Sequence, residues 1–239
     1  MCAGCTEQLE PDSSETQTPS TSPEIAGTDD TNLSIGYNGQ KYVYTESLEC
    51  NAETYAILKG ESLSGTVDKT TSDGGGQNSY TGFPGSVYKV NGYDDNFRIC
   101  QATQNDAGGT FAFYENLTNS NLQSGKGLFG DMGLRLLGNY DSVVYQTHEH
   151  WNQEMEIFQP LEQQDYDDLA SALMEASFEL DTPYMGPEHQ LKQAHVIYQM
   201  KDGTYIRLRL YENGAITYQG LKFQIVDDVF QRIFQIATS

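Results

Sequence analysis

Basic side chains are what this chain has least of. Its 239 residues carry 13 Lys and Arg against 34 Asp and Glu, a formal net charge of −21. A surface of that sign repels phosphate backbones and excludes nucleic acid as a partner. It repels anionic membrane surfaces too, so membrane attachment has to be covalent. The N-terminus has neither a basic segment nor a long apolar one, so the chain as given holds no complete secretory signal. Catalytic signatures are also missing. There is no His-Glu-x-x-His and no Gly-x-Ser-x-Gly. Gly74-Gly75-Gly76 is followed by no Lys-Ser/Thr pair and opens no helix, which excludes a phosphate-cradling loop. Without an Asp-x-Asp-x-Asp-Gly loop, the acidity reads as a solvated surface before it reads as a calcium site. No cofactor is expected; zinc and calcium are the ones the residues leave open.

Hydrophobic residues make up 37% of the chain and 16 Tyr are present, a composition that suits β-rich structure. From His195 to Ala237 the pattern is clearest. Asp202-Gly203 and Asn213-Gly214 are dipeptides preferred by two-residue type I′ turns, where both central residues take positive φ. They divide a meander of three strands at about 194–201, 204–211 and 215–219. In the middle strand Ile206, Leu208 and Leu210 face one way, and Tyr205, Arg207, Arg209 and Tyr211 the other. Ile225, Val226, Val229, Phe230, Ile233, Phe234 and Ala237 then fall at helical spacing. A second helix is predicted over 160–178, with Asp165, Asp167 and Asp168 in its first turns. The unit therefore reads α-β-β-β-α, with both helices on one face of the sheet.

Before it, residues 32–159 read as a β-rich domain of short strands between Gly, Asn and Asp turns, a small antiparallel barrel or sandwich. Asn38-Gly39 and Asn91-Gly92 are two of its turns, residues 54–58 a further short strand, and Phe111 and Phe113 share one strand face. The expected class is α+β in three parts: a tether at 1–31, the β-rich domain at 32–159 and the α+β domain at 160–239. Cys50 and Cys100 each lie in or beside a strand; they are either a disulfide or two buried thiols.

Only one stretch could carry metal chemistry. In Tyr140-Asp-Ser-Val-Val-Tyr-Gln-Thr-His148-Glu-His150-Trp151, a strand would put His148 and His150 on one face, where they could share a metal. Catalysis would need a third ligand, for which Glu154, Glu156, His189 and His195 are candidates. That is the hydrolase reading. The alternative is two surface histidines beside Trp151. The Tyr205, Arg207, Arg209, Tyr211 face is the candidate binding surface of a non-catalytic module. Glu149 to Asp181 carries acidic residues and no Lys or Arg, a solvated face or a dock for something basic.

Ala3-Gly4-Cys5 resembles the end of a bacterial lipoprotein signal, the lipobox, with Cys2 where that motif usually has Leu. The resemblance implies lipidation at Cys5. The rival is a Cys2/Cys5 metal or redox pair, for which no second ligand pair and no βαβ context is seen. Up to Asn32 the chain is mostly Ser, Thr, Pro and acidic residues with few apolar ones and no Lys or Arg, a composition that cannot bury enough surface to fold. Tyr37-Asn-Gly-Gln-Lys-Tyr-Val-Tyr, Ser86-Val-Tyr-Lys-Val, Tyr140-Asp-Ser-Val-Val-Tyr-Gln-Thr-His and Met200-Lys-Asp-Gly-Thr-Tyr-Ile-Arg-Leu-Arg-Leu-Tyr look similar to segments of uncharacterised extracytoplasmic lipoproteins of gut Clostridia-type bacteria. That resemblance implies a lipid-anchored protein on the outer face of the cell membrane, and bears on location more than function; the tether, the acidity, the Tyr/Arg face and the missing catalytic set are what point to a module binding or sensing an envelope protein or ligand. The resemblance implies no site residues.

Overall fold

The computed structural model describes residues 34–64, 67–68, 86–180 and 191–239. Cys5, the tether, the loop around Gly75, the loop at 181–187 and His189 lie outside them. Two antiparallel sheets and a few helices make up the described structure, an α+β fold.

The first sheet holds β1 (Ser34–Tyr37), β2 (Gln40–Asn51), β3 (Lys59–Ser62), β4 (Val67–Asp68), β5 (Val87–Val90), β6 (Arg98–Asn105) and β7 (Gly108–Glu115). Its order is β3-β5-β6-β7-β2-β1-β4, an open sheet with β3 and β4 at its edges among the described residues. Asn38 and Gly39 take φ of 51° and 75°, the left-handed pair a two-residue hairpin demands. Residues 54–58 are not a strand. They lie in helix α1 (Ala52–Leu58), because the Asn51 side chain accepts a hydrogen bond from the Thr54 amide at 2.9 Å and starts a helix there. Tyr55 from α1 stacks on Phe111, ring centroids 4.9 Å apart. Gly109 makes this possible, since a Cβ there would meet the Tyr55 ring at 2.3 Å.

The second sheet is larger than the expected meander. It holds β8 (Tyr140–Thr147), β9 (Gln159–Pro160), β10 (Phe178–Leu180), β11 (Gln193–Met200), β12 (Tyr205–Tyr211), β13 (Ala215–Tyr218) and β14 (Leu221–Gln224), in the order β10-β14-β13-β12-β11-β8-β9. Strand β8 pairs with β11 from Ala194↔Thr147 to Met200↔Tyr140, so this sheet starts upstream of residue 160. The left-handed two-residue turn sits at Gln219 and Gly220, φ 48° and 77°, and adds β14. At the two expected type I′ turns only Gly203 and Gly214 have positive φ. Asp202 and Asn213 act through their side chains instead, accepting from the amides of Thr204 at 2.9 Å and Ala215 at 3.1 Å.

Helices α2 (Gly125–Phe129), α4 (Gln163–Glu175) and α5 (Asp228–Ala237) cover one face of this sheet; α3 (His148–Asn152) follows β8. Asp227 caps α5 by accepting from the Phe230 amide at 2.8 Å. Leu169, Ala170 and Leu173 of α4 and Phe230, Ile233, Phe234 and Ala237 of α5 share a core with Val196, Tyr198, Ile206, Leu208 and Leu210 of the sheet. Phe97, Leu117 and Leu122, from the segments flanking β6 and β7, enter the same core and join the two sheets. Arg232 of α5 reaches Asp165 and Asp168 of α4, so part of the acidic run is answered within the fold.

Between the sheets lies a buried charge cluster. Arg98 on β6, fully buried, donates from Nε to Glu115 Oε1 at 2.9 Å and from Nη2 to Glu115 and to Glu46 Oε1, the latter at 3.3 Å. Tyr218 of the second sheet donates to the same Glu115 carboxylate, at 3.0 and 2.9 Å. The Arg98 guanidinium lies 4.7 Å from the Tyr93 ring and 5.2 Å from that of Phe113. Tyr93 in turn donates to Asp202 at 2.9 Å, a second tie between sheets.

Cys50 and Cys100 are free thiols, which corrects the disulfide expectation. Strand β7 runs between them, with Cys50 opposite Gly109 and Cys100 opposite Phe113. Four residues along a strand span roughly 13 Å, against the ~7 Å Cα limit for a disulfide. Burial pushes the Cys100 thiol up to about 12, so it is expected to resist thiol reagents until urea unfolds the protein.

Two stability measurements follow from the cluster. Glu115→Gln removes one partner of a buried pair and is expected to cost about 3–5 kcal/mol in urea unfolding. Burial pushes Glu46 up to about 8 from 4.5, with Arg98 opposing. The folded protein therefore keeps a proton that the unfolded chain releases. That contribution is complete below pH 4.5 and is lost as pH rises through 8, on the order of 5 kcal/mol across the window. Glu46→Gln is expected to flatten that decline in urea midpoints taken across the same pH range.

Candidate functional site

One face of the second sheet is the apolar core; the other is polar. The alternation of β12 puts Tyr205, Arg207, Arg209 and Tyr211 on the polar side, as the sequence predicts. The register sets Arg209 opposite His195 and His195 opposite Gln146, and Arg207 opposite Ile197 and Ile197 opposite Val144. This face is not open to solvent as expected. Tyr205, Arg207 and Arg209 are half-buried and Tyr211 is buried.

Thr147 turns the chain over it. Its hydroxyl accepts from the His150 amide at 3.2 Å and caps α3. The His148–His150 pair is therefore helical and not on a strand. Residues two apart on a helix do not share a face, so the geometry that would have let them hold one metal is absent. Residues three apart do, and His148 and Trp151 lie together against His195. Trp151 stacks on His195 with centroids 4.7 Å apart and planes at 21°, and on His148 at 5.7 Å and 16°. The Arg209 guanidinium sits 5.1 Å from the Trp151 ring. His148 Nδ1 and His195 Nε2 are 3.2 Å apart. The two regions that the sequence kept separate thus meet, through His148 and Arg209, and His150 stays outside.

His195 is completely buried. Burial first, then Arg209, Arg207 and His148, hold it well below the ordinary histidine range; burial and Arg209 lower His148 as well. Both rings are neutral at pH 7, so the 3.2 Å contact needs one proton between the two nitrogens. Among the described residues His195 Nδ1 then has no partner, and neither have Nε and Nη2 of Arg207, all closed off from solvent. A buried polar atom without a partner costs about 1–3 kcal/mol. Three of them on adjacent positions of one face are a concentration the fold alone does not explain. Arg98 Nη1 lacks a partner as well, in a guanidinium whose carbon lies 4.7 Å and 5.2 Å from the Tyr93 and Phe113 rings.

Among the described residues no group of three or more His, Cys, Asp or Glu is placed to hold a metal ion. Among the described residues no serine or cysteine side chain hydrogen-bonds either ring of the histidine pair. What the arrangement offers is hydrogen bonding, stacking and two guanidinium groups. A separate hollow of about 500 Å³ between α4 and the start of α5 is lined in part by Asp168, Glu175, Asp227 and Val229. None of the unpartnered buried atoms belongs to its lining. Sequence reasoning missed Trp151 as a site member and weighed His195 only as a third metal ligand. Thr147 was the available signal, since a Thr before His-Glu-His-Trp is a helix start.

No protein family, curated protein or solved structure matches the chain.

The neutral histidines set an acid limit on stability. Groups held below their unfolded value contribute fully above about pH 6.5, and the contribution is lost as pH falls and the unfolded chain takes up protons. His195→Phe keeps a ring on Trp151 and removes the titration. Its urea midpoint is expected to fall less between pH 6.5 and 5 than that of the unaltered protein.

Proposed function

We propose that this chain is a non-catalytic binding or sensing module, held by a lipid on Cys5 at the outer face of a bacterial cell membrane. Its ligand face is the polar side of the second sheet, around Arg207, Arg209, His195 and Trp151. One observation carries the binding part of this reading. Unpartnered buried polar atoms gather beside two arginines on a single face, in a chain otherwise short of positive charge. Binding sites place a few polar groups among apolar and aromatic walls in this way. The described helices include none long and apolar enough to cross a membrane, so the anchoring part rests on the Ala3-Gly4-Cys5 motif and the acidic Ser/Thr/Pro segment behind it.

Anchoring has a direct test. In mass spectra of the protein from the membrane fraction of its native cells, the N-terminal peptide is expected to begin at Cys5 and carry a diacylglycerol. An unmodified peptide containing Met1 to Cys5, recovered from the soluble fraction, would contradict it.

A further inference from the structure

We infer that the polar face of the second sheet binds the carboxylate group of a small ligand, between Arg207 and His195. This rests on the binding-module reading and names its ligand class. The two unpartnered atoms of Arg207 are Nε and Nη2. These carry the two parallel N–H bonds of the guanidinium edge, the fork that meets both oxygens of a carboxylate at once. Arg98 turns the same two nitrogens on Glu115 elsewhere in this fold. Tyr205 holds the Arg207 guanidinium from beside it, its ring centroid 5.7 Å from the guanidinium carbon. The edge that remains is therefore left for an acceptor.

The histidine pair supplies a third donor. If His148 gives its Nδ1 proton to His195 Nε2, His195 carries its own proton on Nδ1, the atom without a partner. His195 is diagonal to Arg207 across β11 and β12, two residues off its direct partner Arg209 and so on the same face. Strand geometry puts such positions within ~7–8 Å, a span one carboxylate bridges when both side chains lean toward it. Arg209, over the Trp151 ring, adds charge, and no carboxylate among the described residues forms an ion pair with it. A dianion such as phosphate is the poorer fit to a chain whose formal net charge is −21. Trp151 is the cover. It belongs to a five-residue helix with no buried residue.

Trp151 is also the only tryptophan in the chain, so its fluorescence reports this site alone. The full chain is titrated with benzoate, with its uncharged analogue benzamide, and with inorganic phosphate. The expected result is a saturable change with benzoate and none with benzamide. Arg207→Lys, which keeps the charge and loses the fork, is expected to weaken benzoate at least ~10-fold. Arg209→Gln, on the more open side, is expected to weaken it by a smaller factor. Unchanged far-ultraviolet circular dichroism in both variants excludes unfolding as the cause. No saturable benzoate response, or tighter binding of phosphate than of benzoate, overturns the carboxylate assignment. An equal benzoate response in Arg207→Lys overturns the role of the fork. Saturation by phosphate would still leave a binding module, whereas silence from all three probes in a folded protein would count against the binding reading itself.

Discussion

The fully buried Arg98 guanidinium is the constraint on which the two sheets depend. A charge at that depth is tolerable only with partners; both of its carboxylates lie in the first sheet, and one of them, Glu115, is also held from the second. Glu115 and Glu46 lie on neighbouring strands of the first sheet, and Tyr218 reaches across from the second. Because the hydrogen bonds are directional, the cluster fixes how the sheets meet as well as that they meet. The apolar contacts of Phe97, Leu117 and Leu122 supply area but less direction. The same cluster puts Glu46 near Arg207, so the state of the seam bears on the polar face of the second sheet.

That polar face then takes its character from what covers it. Strand alternation fixes that Arg207 and Arg209 point away from the core, and nothing in the alternation says whether they meet water. The chain answers by turning at Thr147 and laying Trp151 on His195. A sheet face that would otherwise be solvated becomes a half-closed surface with neutral imidazoles and arginine edges turned inward. Burial keeps the histidines uncharged beside two guanidinium groups, which is the arrangement that lets a ligand carboxylate be the only negative charge between them.

Much of the fold was legible where the physics is local. The β12 alternation, the Asn38-Gly39 turn and the apolar stripe of α5 each need only a few neighbouring residues to be read. The failures were non-local or rested on side chains standing in for backbone. The turn at Gln219-Gly220 has no Asn or Asp to announce it, so β14 was absorbed into the run before α5. Residues 54–58 read as a strand, and Asn51, the last residue of β2, caps a helix there instead. Strand β8 joins β11 across about fifty residues of chain, a pairing no local pattern carries. At the site, Arg207 and Arg209 were legible from alternation, while His195 was weighed only as a metal ligand. Its meeting with His148 depends on that same distant pairing. Arg98, Glu46 and Glu115 gave no signal, because a charged residue in a strand reads as solvent-facing until the opposite sheet is known.

Arginine-selective nitrogen-15 NMR of the side-chain Nε–Hε groups tests the central claim most directly, since it sees the locked and the free guanidinium at once. The account predicts a slowly exchanging Arg98 Hε that does not move when a carboxylate is added, and an Arg207 Hε that shifts as the carboxylate saturates. An Arg98 Hε exchanging as fast as that of Arg232 would contradict the buried lock. An Arg207 signal indifferent to carboxylate, with Arg98 protected, would leave the fold standing and remove the site.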